Sequence, residues 1–178
     1  MGFHVNMTGR GVMVSDLHTY VRGAAFIGND TSAPQDLLQH FDKVESADEF
    51  RSSVVSSDGY FAVVCERDSN TFAAVDRARS IPLFYGCVNN ELYISDDVSW
   101  VQEKVGSLQR SELAEYEFCM TGYVTDSDTL YPGVKQLRAG ELLVADTDCK
   151  SLRFHVERYY DFIDTDENYA SDAGALSK

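Results

Sequence analysis

Hydrophobic and polar positions change period along the chain, and the changes divide it into a β-rich start, a helical pair, a central run of strands, a second helical pair and a β-rich end. Residues 3–7, 11–15 and 21–27 form short β segments, with Gly9, Gly11, Gly23 and Gly28 marking turns or bulges. Residues 33–41 have helical spacing, with Leu37, Leu38 and Phe41 on one face. Ser46-Ala47-Asp48-Glu49 opens a second helix as a capping box, in which Ser46 and Glu49 satisfy each other's backbone N–H groups. After the turn at Ser56-Ser57-Asp58-Gly59, residues 59–65, 71–75, 83–86 and 91–95 read as a meander of four strands with short polar connectors. Several of these strands are apolar on successive residues. A sheet with one wet face alternates, so the pattern predicts strands covered on both faces, as in two stacked sheets with helices outside.

Further on, Asp96 or Asp97 caps a helix through Val98, Trp100, Val101 and Val105. Ser111 caps another, whose expected inner stripe is Leu113, Tyr116 and Met120. Strands are expected again at 129–131, 134–137, 141–145 and 153–160. From Ile163 the chain is acidic and rich in small residues. The division that follows is one α+β domain over 1–162 and, over 163–178, a linker or the start of something further.

Composition narrows the function classes. With 44% hydrophobic residues, ten Tyr and ten Phe, the chain is globular, and no stretch approaches the roughly 18 apolar residues of a membrane span. The first residues carry neither a secretory nor a myristoylation pattern, so a cytoplasmic location is expected. A net charge of -14, from 29 acidic and 15 basic residues, disfavours nucleic acid and anionic membranes as partners. That balance suits a high-salt cytoplasm as well as an ordinary acidic protein. Cys65, Cys87, Cys119 and Cys149 form no C-x-x-C pair, and His4, His18, His40 and His155 are scattered, so no metal site is expected. Cys65 and Cys119 read as buried free thiols.

Motifs carry the reading beyond a layered α+β domain. Gly59-Tyr60-Phe61-Ala62-Val63-Val64, Asp76-Arg77 through Pro82-Leu83-Phe84-Tyr85-Gly86, and Leu92-Tyr93-Ile94-Ser95-Asp96-Asp97 follow one another in order. A second block holds Leu113-Ala114-Glu115-Tyr116, Gly122-Tyr123-Val124, Thr129-Leu130-Tyr131-Pro132-Gly133-Val134, Leu137-Arg138-Ala139-Gly140 and Tyr159-Tyr160-Asp161. Together, over roughly residues 59 to 162, they resemble the N-terminal glutamine amidotransferase domain of the asparagine synthetase family. The resemblance implies a four-layer α-β-β-α sandwich of the N-terminal-nucleophile (Ntn) type, with two mainly antiparallel sheets flanked by helices. It also implies a C-terminal synthetase domain as partner, in cis or in trans, with ATP and magnesium needed only there and no cofactor in this chain. A homodimer is a further assembly to test.

The family's chemistry needs a cysteine after the initiator methionine, attacking the glutamine amide with its own amino group as base and an Asn with a Gly N–H as oxyanion hole. Here the chain opens Met1-Gly2-Phe3, with no Ser or Thr in place of the thiol. Arg22 is the sole arginine between Gly11 and Ile27, in surroundings unlike the family's carboxylate clamp. Gly28, between Ile27 and Asn29, is a weak oxyanion candidate, and Ser46 to Glu49 is explained by capping. No catalytic residue is assigned. Gly59, Asp76, Arg77, Pro82, Gly86, Gly133 and Gly140 are read as structural, with Asp76 and Arg77 as a turn-fixing ion pair and Gly86 as an aid to hairpin closure. Arg79 stands where the family usually has Gly. The expected function is therefore a glutaminase-inactive domain of an asparagine-synthetase-related protein. The alternatives are a scaffold or binding protein that keeps the fold, and an active glutaminase whose true start lies upstream.

Overall fold

Successive residues of the central strands are buried, alternate ones toward opposite faces, and this sets the architecture. The computed structural model describes residues 2–8, 13–16, 18–28, 30–148 and 151–162; Gly9, Gly11, Asn29, Cys149 and the segment 163–178 lie outside them. Strands β1 (Gly2–Asn6), β2 (Met13–Ser15), β3 (Thr19–Ile27) and β4 (Asp30–Ser32) precede the helices α1 (Pro34–Asp42) and α2 (Ala47–Ser56). Two hairpins follow, β5 (Ser57–Arg67) with β6 (Asn70–Val75) and β7 (Phe84–Val88) with β8 (Glu91–Ser95). Helices α3 (Val98–Val105) and α4 (Glu112–Thr121) then lead to β9 (Val134–Gln136), β10 (Glu141–Asp148) and β11 (Ser151–Arg158).

The larger sheet has the order β11-β10-β6-β5-β3-β2, with β4 also paired to β3, and its pairings are antiparallel. The smaller has the order β1-β8-β7-β9, in which β1 runs parallel to β8. The four central strands are thus not one meander. The first hairpin belongs to the large sheet and the second to the small one, and residues 76–83 carry the chain across. Both arrangements have the same period and connector lengths, so the pattern alone does not separate them.

Alternate residues of the central strands serve two cores. Ala62, Val64, Ala73, Val75 and Leu143 meet Leu83, Tyr85, Leu92, Ile94 and Leu137 between the sheets. Phe61, Val63, Cys65, Phe72 and Ala74 point the other way and meet Leu37, Phe41, Phe50 and Val54 of α1 and α2. The fully buried Phe41, Phe50, Phe61 and Phe72 form a chain of rings 5.3 to 6.1 Å apart, each contributing about 1.5–3 kcal/mol by burial. Helix α3 covers the outer face of the small sheet through Val101. The result is a four-layer α-β-β-α sandwich, the fold class that the doubly apolar strands predict.

Caps explain where the helices begin. In α2 the Ser46 Oγ accepts from Glu49 N, and the Glu49 carboxylate accepts from Ser46 N. A bond from the Glu45 N–H, followed by those from Ser46, holds the Glu49 carboxyl below its ordinary range. Asp97, not Asp96, caps α3 by accepting from Ser99 N. Asp96 is thereby released for a different contact.

Helix α4 departs from expectation. Ser111 caps it and Gly122 ends it in a left-handed turn, but Leu113, Tyr116 and Met120 are 79%, 70% and 86% exposed, and the buried residue is Ala114. Cys119 is exposed with them. The helix rests on the 123–134 segment rather than on a sheet: Ser111 N donates to Leu130 O, and Ser111, Leu113, Ala114 and Val124 line one shallow cavity. Residues 129–131 are likewise a turn and not a strand. The Thr129 hydroxyl accepts from Tyr131 N and donates to Val134 O, which delays the strand to Val134.

Candidate functional site

The motif residues gather at the crossing between the sheets. Asp76 is fully buried at the end of β6. Its carboxylate accepts from the backbone N–H groups of Phe61, Ala78 and Ser80 and from the Ser80 hydroxyl. Its carbonyl accepts from Arg79 N and Gly140 N. One residue thus ties β5 and the crossing through its carboxylate and the 138–141 turn through its carbonyl, and the carboxylate's charge is met by donors instead of a cation. Arg77 is not its partner. Successive side chains at a strand end point to opposite sides, and Arg77 lies 3.3 Å from Asp58, donates to Val55 O and stacks 4.7 Å over the Tyr160 ring.

The motif glycines are packing positions. A Cβ on Gly59 would stand 2.4 Å from Ala24 O, and one on Gly140, at φ 68°, would stand 2.5 Å from Tyr160 O. Gly86 lies within β7 under Val105, so it does not close the hairpin. That turn is made by Asn89 and Asn90 at φ 51° and 65°, the conformation of a two-residue type I′ loop. Gly133 sits in an open turn at φ 82°. Pro82 lies in the crossing between the buried Ile81 and Leu83. Tyr159 donates its hydroxyl to Val75 O, and burial pushes its pKa well up.

A cleft of about 1000 Å³ opens at the end of the sandwich where β1 begins. Gly2 and Phe3 form one side, and His18, Glu66, Arg67 and Asn70 stand opposite. Arg67 is fully engaged there. It donates to Val44 O at 2.6 Å, Glu66 O at 2.8 Å, and Asp42 O and Phe41 O at 3.0 and 3.1 Å, the last two being carbonyls that end α1. It acts as a cap on those carbonyls, leaving its fork committed to the backbone. The other charged neighbours, Asp42, Glu45, Glu66 and Asp68, are acidic, and burial pushes the Glu66 carboxyl up. A ligand carboxylate entering here meets no free cation among the described residues.

None of the described cysteines lines this cleft. Cys65 turns its thiol toward Phe41 O in the helix-side core, and burial pushes it up to about 12, far from a reactive thiolate. Gly28 follows the far end of β3. The cleft lies at the Thr19 end, eight residues from Ile27 and so about 27 Å away, and Gly28 and Gly2 are not brought together. Arg22 is elsewhere too: its Nη1 lies 2.6 Å from the buried carboxylate of Asp96, which also accepts from Thr8 N and Thr8 Oγ1. This pair joins the large sheet to the end of β8. Among the described residues, no three His, Cys, Asp or Glu side chains converge as a metal site. No described helix is long and apolar enough to cross a membrane.

Sequence reasoning missed Arg67, Glu66, Thr8 and the Arg22–Asp96 pair. The first two sit at the mouth of a hairpin, where a polar connector looks the same whether solvated or capping a helix from another layer. In the sequence Asp96 competes with Asp97 for the cap and closes a motif strand, and neither position points to Arg22.

No protein-family model matches the chain, and no curated protein does. The solved structures similar in chain path include these two. One is glutamine phosphoribosylpyrophosphate amidotransferase from B. subtilis complexed with ADP and GMP, at 12% identity and a TM-score of 0.46, covering 84% of this chain and 31% of that one. The other is described as the allosteric regulatory enzyme of purine biosynthesis, at 12% identity and a TM-score of 0.45, covering 85% of this chain and 31% of that one. The chain spans about a third of the length of either.

Proposed function

We propose that residues 1–162 are a glutamine-amidotransferase-type domain of an asparagine-synthetase-related protein, kept for its fold and its docking surface and inactive toward glutamine. The observation that carries this is the contrast between two regions. At the crossing, the motif residues Asp76, Gly59 and Gly140 are each required by contacts. At the cleft beside Gly2, Arg67 is spent on backbone carbonyls and no described thiol is present. A carboxylate clamp and a nucleophile are what amide hydrolysis of glutamine demands.

In this account the segment 163–178 leads into, or links to, an ATP-dependent synthetase domain, and ATP and magnesium belong to that domain. The exposed apolar side chains of α4 supply an interaction face for a protein partner, in cis or in trans. They support equally a scaffold role, in which the fold binds another protein and catalyses nothing.

An electrophilic glutamine analogue, such as a diazoketone, tests the inactive cleft. Intact-mass measurement of the chain after incubation is expected to show no adduct. An adduct that forms stoichiometrically and is blocked by glutamine would overturn the proposal.

A further inference from the structure

A second cavity, of about 670 Å³, lies at the opposite end of the small sheet from Gly2. Its walls are apolar and aromatic, formed by Phe84, Val98, Phe118, Tyr123, Val124 and Tyr131. Its volume falls within the range that takes a small organic ligand. Phe118 and Tyr123 are 47% and 61% exposed, a cost that a ligand packed against them would offset.

One cation in this cavity has no counter-charge among the described residues. Arg79 projects from the crossing at φ 55°, a left-handed conformation that a non-glycine residue adopts only when its surroundings hold it there. Its Nη2 donates to Gln136 Oε1 at 2.5 Å, and its Nε is buried with no hydrogen-bond partner. Among the described residues no carboxylate lies within ion-pair distance of it. Gln136 is itself fixed, because its amide donates to Asp126 O and Asp128 O. The acidic side chains of the cavity are already taken: Asp126 pairs with Arg138, which also holds Glu141, and Asp128 pairs with Lys135. Burial lowers the pKa of Arg79, the direction expected of a guanidinium whose charge is left unmatched. In a chain carrying 29 acidic residues and 15 basic ones, an arginine held in strained backbone, oriented by a fixed amide and denied a carboxylate is a cation reserved for something else.

The geometry points to a binding site for a small carboxylate with an aromatic or branched apolar body, its carboxylate on Arg79 and its body against Phe84, Phe118 and Tyr131. A planar guanidinium favours a carboxylate over a neutral amide of the same shape, because only the former supplies the missing charge. The site does not depend on the amidotransferase assignment, since none of its contacts involves the Gly2 cleft.

Titration of the full chain with phenylacetate, followed by its amide NMR signals, tests this. Saturable shifts are expected around Arg79, Phe84 and Gln136, with a dissociation constant of roughly 1–10 mM for so small a probe. Phenylacetamide, the neutral isostere, is expected to bind at least ~10-fold more weakly. Arg79→Gly suits the left-handed backbone, so the fold is retained, and phenylacetate should then bind no better than phenylacetamide. The site is overturned if the two probes bind equally or if Arg79→Gly leaves phenylacetate affinity unchanged. It is equally overturned if the shifts map to the Gly2 cleft, or if no saturable binding appears up to ~20 mM.

Discussion

Asp76 shows how one buried charge can organise several layers. Its carboxylate replaces water for the backbone N–H groups of Phe61, Ala78 and Ser80, groups that no strand ladder satisfies because the chain is leaving one sheet for the other. Asp76→Ala strands those donors in a dry interior, and at 1–3 kcal/mol for each unsatisfied group the loss is about 4 kcal/mol. Urea denaturation of the two proteins measures it; a loss below about 1 kcal/mol would mean that water replaces the carboxylate. Glu66 acts in the opposite sense. Burial raises its folded pKa, against the pull of the Tyr20 hydroxyl, so over the interval between the unfolded and folded values the native chain binds the extra proton. Stability therefore falls as pH rises through that interval. Glu66→Gln is expected to raise the thermal midpoint near about pH 7 and to give no gain near about pH 3, where the carboxyl is protonated in both states. An equal gain at both values would remove the ionisation as its cause.

At the scale of elements, the sequence disclosed most where a local rule decides. Ser46 and Glu49 mark a helix start because the capping box needs no tertiary partner, and the doubly apolar run from Phe61 to Cys65 marks a strand between two covered faces. It disclosed least where tertiary contacts choose between equal local patterns. The 76–83 crossing places the second hairpin in another sheet without altering any period, and α4 has apolar residues at helical spacing that turn outward to solvent. An inner stripe and a docking stripe have the same spacing; only the neighbour differs. That distinction is measurable. Leu113→Ser, Tyr116→Ser and Met120→Ser, combined in one chain, should shift stability by no more than about 1 kcal/mol, because the side chains gain little from burial. Phe50→Ala, in the helix-side core, should cost about 3–5 kcal/mol. A large loss from the α4 triple would show that this helix packs inward after all.

For the whole molecule, the order of layers and the chemistry of the cleft bear on different halves of the proposed function. The sandwich keeps its crossing tie, its close glycine contacts and the Arg22–Asp96 link between sheets. The Gly2 cleft has room for a different residue at its edge: a Cβ on Gly2 would meet nothing nearer than His4 Nε2 at 3.8 Å. If only the nucleophile were wanting, a thiol placed there would suffice. The cleft, however, holds acidic groups and an arginine already bound to carbonyls, so among the described residues no free cation stands ready for a glutamine carboxylate. The surroundings of Arg22, unlike a carboxylate clamp, were legible in the sequence. The commitment of Arg67 to α1 was not legible, because it joins residues from separate layers. The most direct measurement is ammonia release from glutamine by the chain and by its Gly2→Cys variant with Met1 removed. The account predicts background rates from both, with or without a thiol reagent; glutamine-dependent ammonia release above background from either, abolished by that reagent, would contradict it.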